Sequence, residues 1–185
     1  MIEDLLADNP IIAAIRDEED LKSAIISRAG IVFILYGDIM NIDTIAKRLM
    51  EEGKKVFIHL DMIGGLKADQ AGVKFIKKFV NPYGIITTKS ANIKYGNQEG
   101  LITIQRMFIV DSLSFITGIK GLKEAGPNAV EVMPGVSADI IKRIRENIDL
   151  PIIAGGLISH KTDIYNALDA GAVAISTTCR KLWNM

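Results

Sequence analysis

Little in this 185-residue chain can form a covalent or metal-based scaffold. A single cysteine, Cys179, cannot close an internal disulfide, and no second Cys or paired His stands near it in sequence to make a metal site. The two histidines, His59 and His160, are too few for a structural zinc, so neither a metal nor a cofactor is expected. Apolar runs are strand-sized and fall far short of a membrane span. The segment Met1–Asp8 is acidic, without a basic n-region or a long apolar h-region, so no secretory signal is visible and a soluble, cytoplasmic protein is expected. No linker or low-complexity tract divides the chain, and 49% hydrophobic content supplies one sizeable core. A single domain over residues 1–185 is therefore expected.

Net charge is zero but unevenly spread. Residues 1–52 hold 5 Lys+Arg against 11 Asp+Glu, residues 53–120 hold 10 against 4, and residues 121–185 hold 7 of each. Exposed charges more than roughly 10 Å apart are largely screened at physiological salt, so a basic middle sector can attract a polyanion despite the overall balance. Lys-rich solvated helix faces account for it equally well.

Short β-branched runs alternate with longer amphipathic ones. Strands are predicted at Ile11–Ile15, Ile31–Tyr36, Val56–Asp61, Gly84–Thr87, Leu101–Gln105, Ala129–Met133, Ile152–Ala154 and Val173–Ser176. Helices are predicted between them at Glu18–Ser27, Ile42–Glu52, Asp69–Phe79, Ala91–Gln98, Ser112–Ala125, Ala138–Asn147 and Lys161–Ala170, with a short last turn at Thr178–Trp183. Asp17, Ser112 and Ser137 stand as N-caps, and Gly30, Gly53, Gly126 and Gly171 follow helix ends, where positive φ is wanted. Strands recurring with a helix between each pair demand a parallel sheet, and eight such units close it into a compact (β/α)8 TIM barrel. A doubly wound open sheet is the alternative.

Two strand ends open into small residues, at Ala154-Gly155-Gly156 and at Ser176-Thr177-Thr178. Such loops leave backbone N–H groups uncovered, as in the phosphate site that barrels build after their seventh and eighth strands. A small phosphorylated ligand is expected there. Strand alternation sends Glu131 inward between Val130 and Val132, and Phe57, His59 and Asp61 inward between Val56, Ile58 and Leu60. Arg16, Lys89, Gln105 and Arg106 end or follow neighbouring strands, so a polar ring converges on one rim. Buried charge is costly unless paired or met by a ligand, which favours a site; a structural ion pair of Glu131 with Arg16 or Arg106 is the plainer reading. A class I aldolase needs a Schiff-base lysine, commonly on the sixth strand, where Glu131 and Met133 stand instead. A phosphosugar enzyme using Glu131, Asp61, His59 or Lys89 as acid, base or electrophile stays open.

Seven blocks in order, Ala13-Ala14-Ile15-Arg16, His59-Leu60-Asp61-Met62-Ile63 with Gly65, Gly84-Ile85-Ile86-Thr87-Thr88-Lys89-Ser90, Ile104-Gln105-Arg106-Met107-Phe108 with Asp111-Ser112, Glu131-Val132-Met133-Pro134-Gly135, Ala154-Gly155-Gly156 and Leu182-Trp183, resemble the glycerol-3-phosphate-responsive antiterminators, regulators of bacterial glycerol uptake operons. The resemblance spans nearly the whole chain. It implies a TIM-barrel regulator, not an enzyme, that binds glycerol 3-phosphate and then the leader mRNA of glycerol-utilisation operons. Read-through past a terminator and stabilisation of the message would follow. By the same resemblance Gly155, Gly156, Ser176, Thr177 and Thr178 hold the phosphate, and Arg16, His59, Asp61, Lys89, Gln105, Arg106 and Glu131 line the glycerol end. Neither DNA nor a membrane is an expected partner, and oligomeric state does not follow. For RNA, the helix Asp69–Phe79 is expected to turn Val73, Ile76 and Phe79 to the barrel and Lys74, Lys77 and Lys78 outward along a phosphate backbone. No aromatic platform or RNA-binding signature accompanies them.

Overall fold

Branched and aromatic side chains lose little by being extended on a pleated surface, and they fill all eight strands. In the computed structural model, which describes residues 2–185, these are β1 (Ile11–Ile15), β2 (Ile31–Ile34), β3 (Lys55–His59), β4 (Gly84–Thr87), β5 (Ile102–Phe108), β6 (Ala129–Met133), β7 (Ile152–Gly155) and β8 (Ala174–Thr177). Each pairs in parallel with the next and β8 pairs with β1, so the sheet closes. Parallel neighbours need a crossover. It is supplied by α2 (Glu18–Ile26), α3 (Ile42–Glu51), α4 (Gln70–Phe75), α5 (Ser90–Gln98), α6 (Ser112–Ala125), α7 (Ala138–Arg145) and α8 (Lys161–Asp169). The result is the (β/α)8 barrel and not the open sheet.

Strand residues alternate between two cores. Ile12, Ala14, Ile31, Phe33, Phe57, Ile86, Ile104, Ala129, Ile153 and Ala174 fill the barrel interior. Ile11, Ala13, Val32, Ile34, Val56, Ile58, Ile85, Val130, Val132 and Ile152 face the helices. An additional helix, α1 (Ile2–Asp8), lies in the acidic N-terminal segment, whose composition does not announce it. Its Ile2 and Leu6 join the interior core, so it closes the N-terminal end of the barrel. The polar residues of the barrel then lie at the opposite, C-terminal end.

Several predicted boundaries move, for physical reasons. β2 stops at Ile34, and β3 stops at His59, because Leu60–Met62 turn into a 3-10 helix that carries Asp61. β5 runs three residues beyond Gln105, since Arg106, Met107 and Phe108 pair with Glu131, Val132 and Met133. The cap of α6 is Asp111, not Ser112: its carboxylate accepts from the Ser114 N–H at 2.7 Å, and the Ser114 hydroxyl completes a capping box. Asp17 caps α2 as expected, whereas Ser137 precedes α7 without a side-chain bond. Gly53, Gly126 and Gly171 have positive φ; Gly30 does not, and is small because Asn9 presses on it. After α4 the chain makes one π-helical turn, Ile76–Val80, which adds a residue to the turn and rotates the side chains beyond it. Val80 therefore takes the inward place expected of Phe79, and Phe79 is 61% exposed.

Candidate functional site

Above the apolar layers of the barrel sits one polar layer. His59 from β3, Arg106 from β5, Glu131 from β6 and Ser176 from β8 are each buried, Glu131 completely. Register explains the central pair: Arg106 and Glu131 are direct neighbours across β5 and β6. Arg106 Nε donates to Glu131 Oε2 at 2.5 Å, and the Ser176 hydroxyl donates to Oε1. Both carboxylate oxygens are thus occupied, while Arg106 Nη2 is buried with no partner. Both ring nitrogens of His59 also lack a hydrogen-bond partner. Burial, then the Arg106 charge, lowers the pKa of this imidazole to about 4 against the opposing pull of Asp61, whose Oδ2 lies 3.9 Å away. His59 is therefore neutral at pH 7, one nitrogen donating and the other accepting. Buried polar groups left unpaired cost roughly 1–3 kcal/mol each. Both point to a polar ligand.

Arg106 and Ser176 border a cavity of about 380 Å³ at the barrel mouth, walled also by Ala14, Leu35, Met133, Gly156, Leu157, Ile158, Ser159, Thr177, Thr178 and Cys179. Three expected phosphate residues line it directly with Gly156, namely Ser176, Thr177 and Thr178. Gly156 has φ +80°, and Leu157 follows at φ +63°, a left-handed conformation unusual outside glycine. Among the described residues, the backbone N–H groups of Gly156, Leu157 and Thr178 donate to no internal acceptor. The Thr177 hydroxyl is committed instead, donating to Ile158 O at 2.7 Å and accepting from the Cys179 N–H at 3.0 Å. Gly155 lies behind the cavity. A β-carbon there would stand 2.6 Å from both Glu131 Oε1 and the Ser176 hydroxyl, so its smallness lets the polar layer pack.

The remaining expected residues divide. Asp61 stands on the rim beside His59 and accepts from the Thr87 hydroxyl at 3.0 Å, the Thr88 N–H at 2.8 Å and the Thr88 hydroxyl at 3.2 Å. Lys89 approaches Asp61 Oδ1 at 3.8 Å but is mostly exposed. Gln105 does not join the mouth: Ile104 and Arg106 face inward, so Gln105 faces the helices and donates to the Ser90 hydroxyl at 3.1 Å. Arg16 is 61% exposed and leans toward Asp20, 3.9 Å away, outside the cavity. Lys74, Lys77 and Lys78 lie far down the outer wall, on α4 and the π-turn. Sequence reasoning missed Leu35, Leu157 and Ile158 as walls of the cavity, whereas Met133, above Glu131 on the same strand, stands at the mouth as alternation implies. It also missed the clamp in which Arg180 Nε donates to buried Asp20 at 2.6 Å, tying the last turn to α2 across nearly the whole chain. No local signal announces a pair so distant in sequence. Among the described residues no group of three His, Cys, Asp or Glu is placed to hold a metal ion.

This geometry suits a small anion with a hydroxylated tail. Free main-chain donors and an arginine suit an anion, and a neutral histidine and an acceptor carboxylate nearby suit hydroxyls. Residues 11–183 match the family model described as "Glycerol-3-phosphate responsive antiterminator". The chain is 38% identical over 181 residues to YgcP of Escherichia coli (strain K12), a protein described as uncharacterized, and the match covers 98% of this chain and 95% of that one. Among solved structures it is similar to the glycerol uptake operon antiterminator regulatory protein of Listeria monocytogenes, with TM-score 0.92, 27% identity and 95% of each chain covered. A glycerol uptake operon antiterminator-related protein of Thermotoga maritima gives TM-score 0.85 at 32% identity, covering 96% of this chain and 99% of that one. Deoxyribose phosphate aldolase of Aeropyrum pernix, at TM-score 0.71 and 14% identity, shares the fold alone. A match over nearly every residue, converging with a barrel mouth lined by free N–H donors, makes this chain a member of the glycerol-3-phosphate responsive antiterminator family.

Proposed function

We propose that the chain senses glycerol 3-phosphate at the barrel mouth and, in the cytoplasm, passes that signal to the leader mRNA of a glycerol-utilisation operon. The phosphate would rest on the N–H groups of Gly156, Leu157 and Thr178 with Arg106 Nη2 completing its shell. The glycerol hydroxyls would meet His59 and Asp61. The observation that carries this reading is a cavity whose wall joins unused main-chain donors to Arg106, an arginine that also keeps a buried N–H group without a partner. Antitermination and message protection would follow from RNA affinity that depends on the ligand.

In this reading the role is regulatory. Glu131 is held by Arg106 and Ser176, and Lys89, mostly exposed, lies away from the barrel interior where a Schiff-base lysine would stand, which supports a regulator over an enzyme. The test is a titration of the protein against the leader transcript at fixed moderate salt, with and without glycerol 3-phosphate. Tightening by the ligand is the expected result. No RNA binding in either condition, or turnover of a triose or glyceryl phosphate, would sink the proposal.

A further inference from the structure

A second cavity, about 540 Å³, opens at the other end of the barrel beneath β3, β4 and β5. Lys54, Lys55 and Lys77 line it with Asn81, Pro82, Tyr83 and the strand starts Val56 and Ile102. No Asp or Glu stands in its wall, and among the described residues none of the three lysines has a carboxylate within 4 Å. Glu52 acts on Lys54 only from outside the wall, while Lys54 Nζ donates to Ser27 O at 2.6 Å. Three cations around one uncompensated hollow make a local field that selects anions.

Aromatic rings accompany these charges. Tyr83 is anchored edge-on against buried Phe57, ring centroids 5.5 Å apart, so its orientation is fixed while part of its surface stays exposed. Lys55 Nζ lies 5.3 Å from the Tyr83 centroid. Just beyond the rim, the π-turn that displaces Phe79 outward sets Lys78 Nζ 5.3 Å from that ring, and Phe75 supports the ring at 5.0 Å. Leaving a phenylalanine in water forgoes about 1.5–3 kcal/mol of burial, and π-turns recur at functional positions. Exposed aromatic surface that any base can stack on, beside lysines that have no carboxylate partner, is the combination by which proteins hold single-stranded nucleic acid.

We propose that this cavity seats an unstacked nucleotide of single-stranded RNA, its base against Tyr83 and its flanking phosphates on Lys55 and Lys77, with Phe79 and Lys78 meeting the next nucleotide. The site rests on the RNA-binding reading above and gives it a face. That face keeps Lys77 and Lys78 of the lysines expected from the spacing and joins them to the barrel's N-terminal end. β3 joins the two ends directly, with Lys55 opening it and His59 closing it.

The experiment measures leader-transcript binding over a salt series, in saturating glycerol 3-phosphate, for the wild type, Lys55→Gln/Lys77→Gln and Tyr83→Leu. Calorimetric affinity for glycerol 3-phosphate reports whether the distant mouth is still folded. The lysine pair should flatten the log–log salt slope by about 1.4, two phosphates at about 0.7 each. Tyr83→Leu should weaken binding roughly 5- to 150-fold, the range of a lost base stack. Variants that bind RNA like the wild type while keeping the small ligand would overturn the face but leave the regulator reading standing. A wild type that binds no RNA removes both. Should a variant lose the small ligand as well, photo-crosslinking of 4-thiouridine RNA to the wild type decides. Adducts on Phe79 or Tyr83 support the site, and adducts confined to the mouth or the α6 side refute it.

Discussion

Replacing Arg106 by glutamine should be the most revealing single change in this molecule. Glu131 has no exposed surface, and its charge is balanced by Arg106 Nε at 2.5 Å, with the Ser176 hydroxyl as second donor. Removing one partner of a buried pair leaves an uncompensated charge and costs about 3–5 kcal/mol. Against a typical stability of about 5–15 kcal/mol the loss is a large fraction, and with a urea m-value of about 2–3 kcal/mol/M it moves the unfolding midpoint by about 1–2.5 M. The double variant Arg106→Gln/Glu131→Gln replaces ions by neutral amides and should recover most of the loss. Glycerol 3-phosphate separates the two roles of the arginine. Arg106→Gln removes a charge-assisted bond worth about 1.5–3 kcal/mol, or about 10- to 150-fold in affinity. Glu131→Gln leaves that donor in place and should bind the ligand no more weakly than wild type. Urea titrations and calorimetry on the four proteins give both readouts. A loss below about 1 kcal/mol for Arg106→Gln, or a double variant as unstable as the single, would refute this view of the polar layer.

The neutral state of His59 has its own signature. With a folded pKa of about 4 against 6.5 unfolded, the unfolded chain takes up a proton first as pH falls, so stability declines between about pH 7 and pH 4 by about 3 kcal/mol. His59→Gln lacks this loss, and an equal wild-type-to-variant gap at pH 7.5 and pH 4 would contradict it. Leu6→Ala empties a fully buried place in the barrel floor and should cost about 2–5 kcal/mol while ligand affinity stays within twofold; a small effect in urea unfolding would show that α1 is not a plug. Gly155→Ala should cost about 1–3 kcal/mol by pushing Glu131 and Ser176 apart and should weaken glycerol 3-phosphate binding, to be read by thermal melting and calorimetry. Unaltered melting would mean the layer has slack.

The barrel is legible in the sequence because β-branched strands recur in every unit and glycines follow most of the helices between them, so most units report their own boundaries. The inward aim of His59 and Glu131 follows from period-two alternation. Applied to β5, the same rule separates Gln105 from Arg106, but Gln105 looks like a strand end in the sequence whereas the strand in fact runs on to Phe108. The spacing of Ile2, Leu5 and Leu6 in α1 is a real signal, masked by the acidic residues around it. The π-turn at Ile76–Val80 has no sequence mark, which is why periodicity alone puts Phe79 on the wrong side. Leu157 in a left-handed conformation is equally silent, since only the packing of two loops dictates it.

The contact between the β6 and β7 loops carries a consequence for how this mouth can vary. The Gly135 N–H donates to Gly155 O at 2.6 Å, and a β-carbon on Gly135 would fall 2.6 Å from the Gly155 nitrogen. Side chains at Leu157 and Ser159 can be exchanged without moving the peptide groups that face the cavity, whereas a single added carbon at Gly135 or Gly155 shifts the floor beneath them. Tolerance to substitution is therefore uneven here, permissive at Leu157 and Ser159, whose side chains border the cavity, and strict at two glycines that never reach it. A deep mutational scan scored on effector response would show this as intolerance at Gly135 and Gly155 beside tolerance at Leu157 and Ser159.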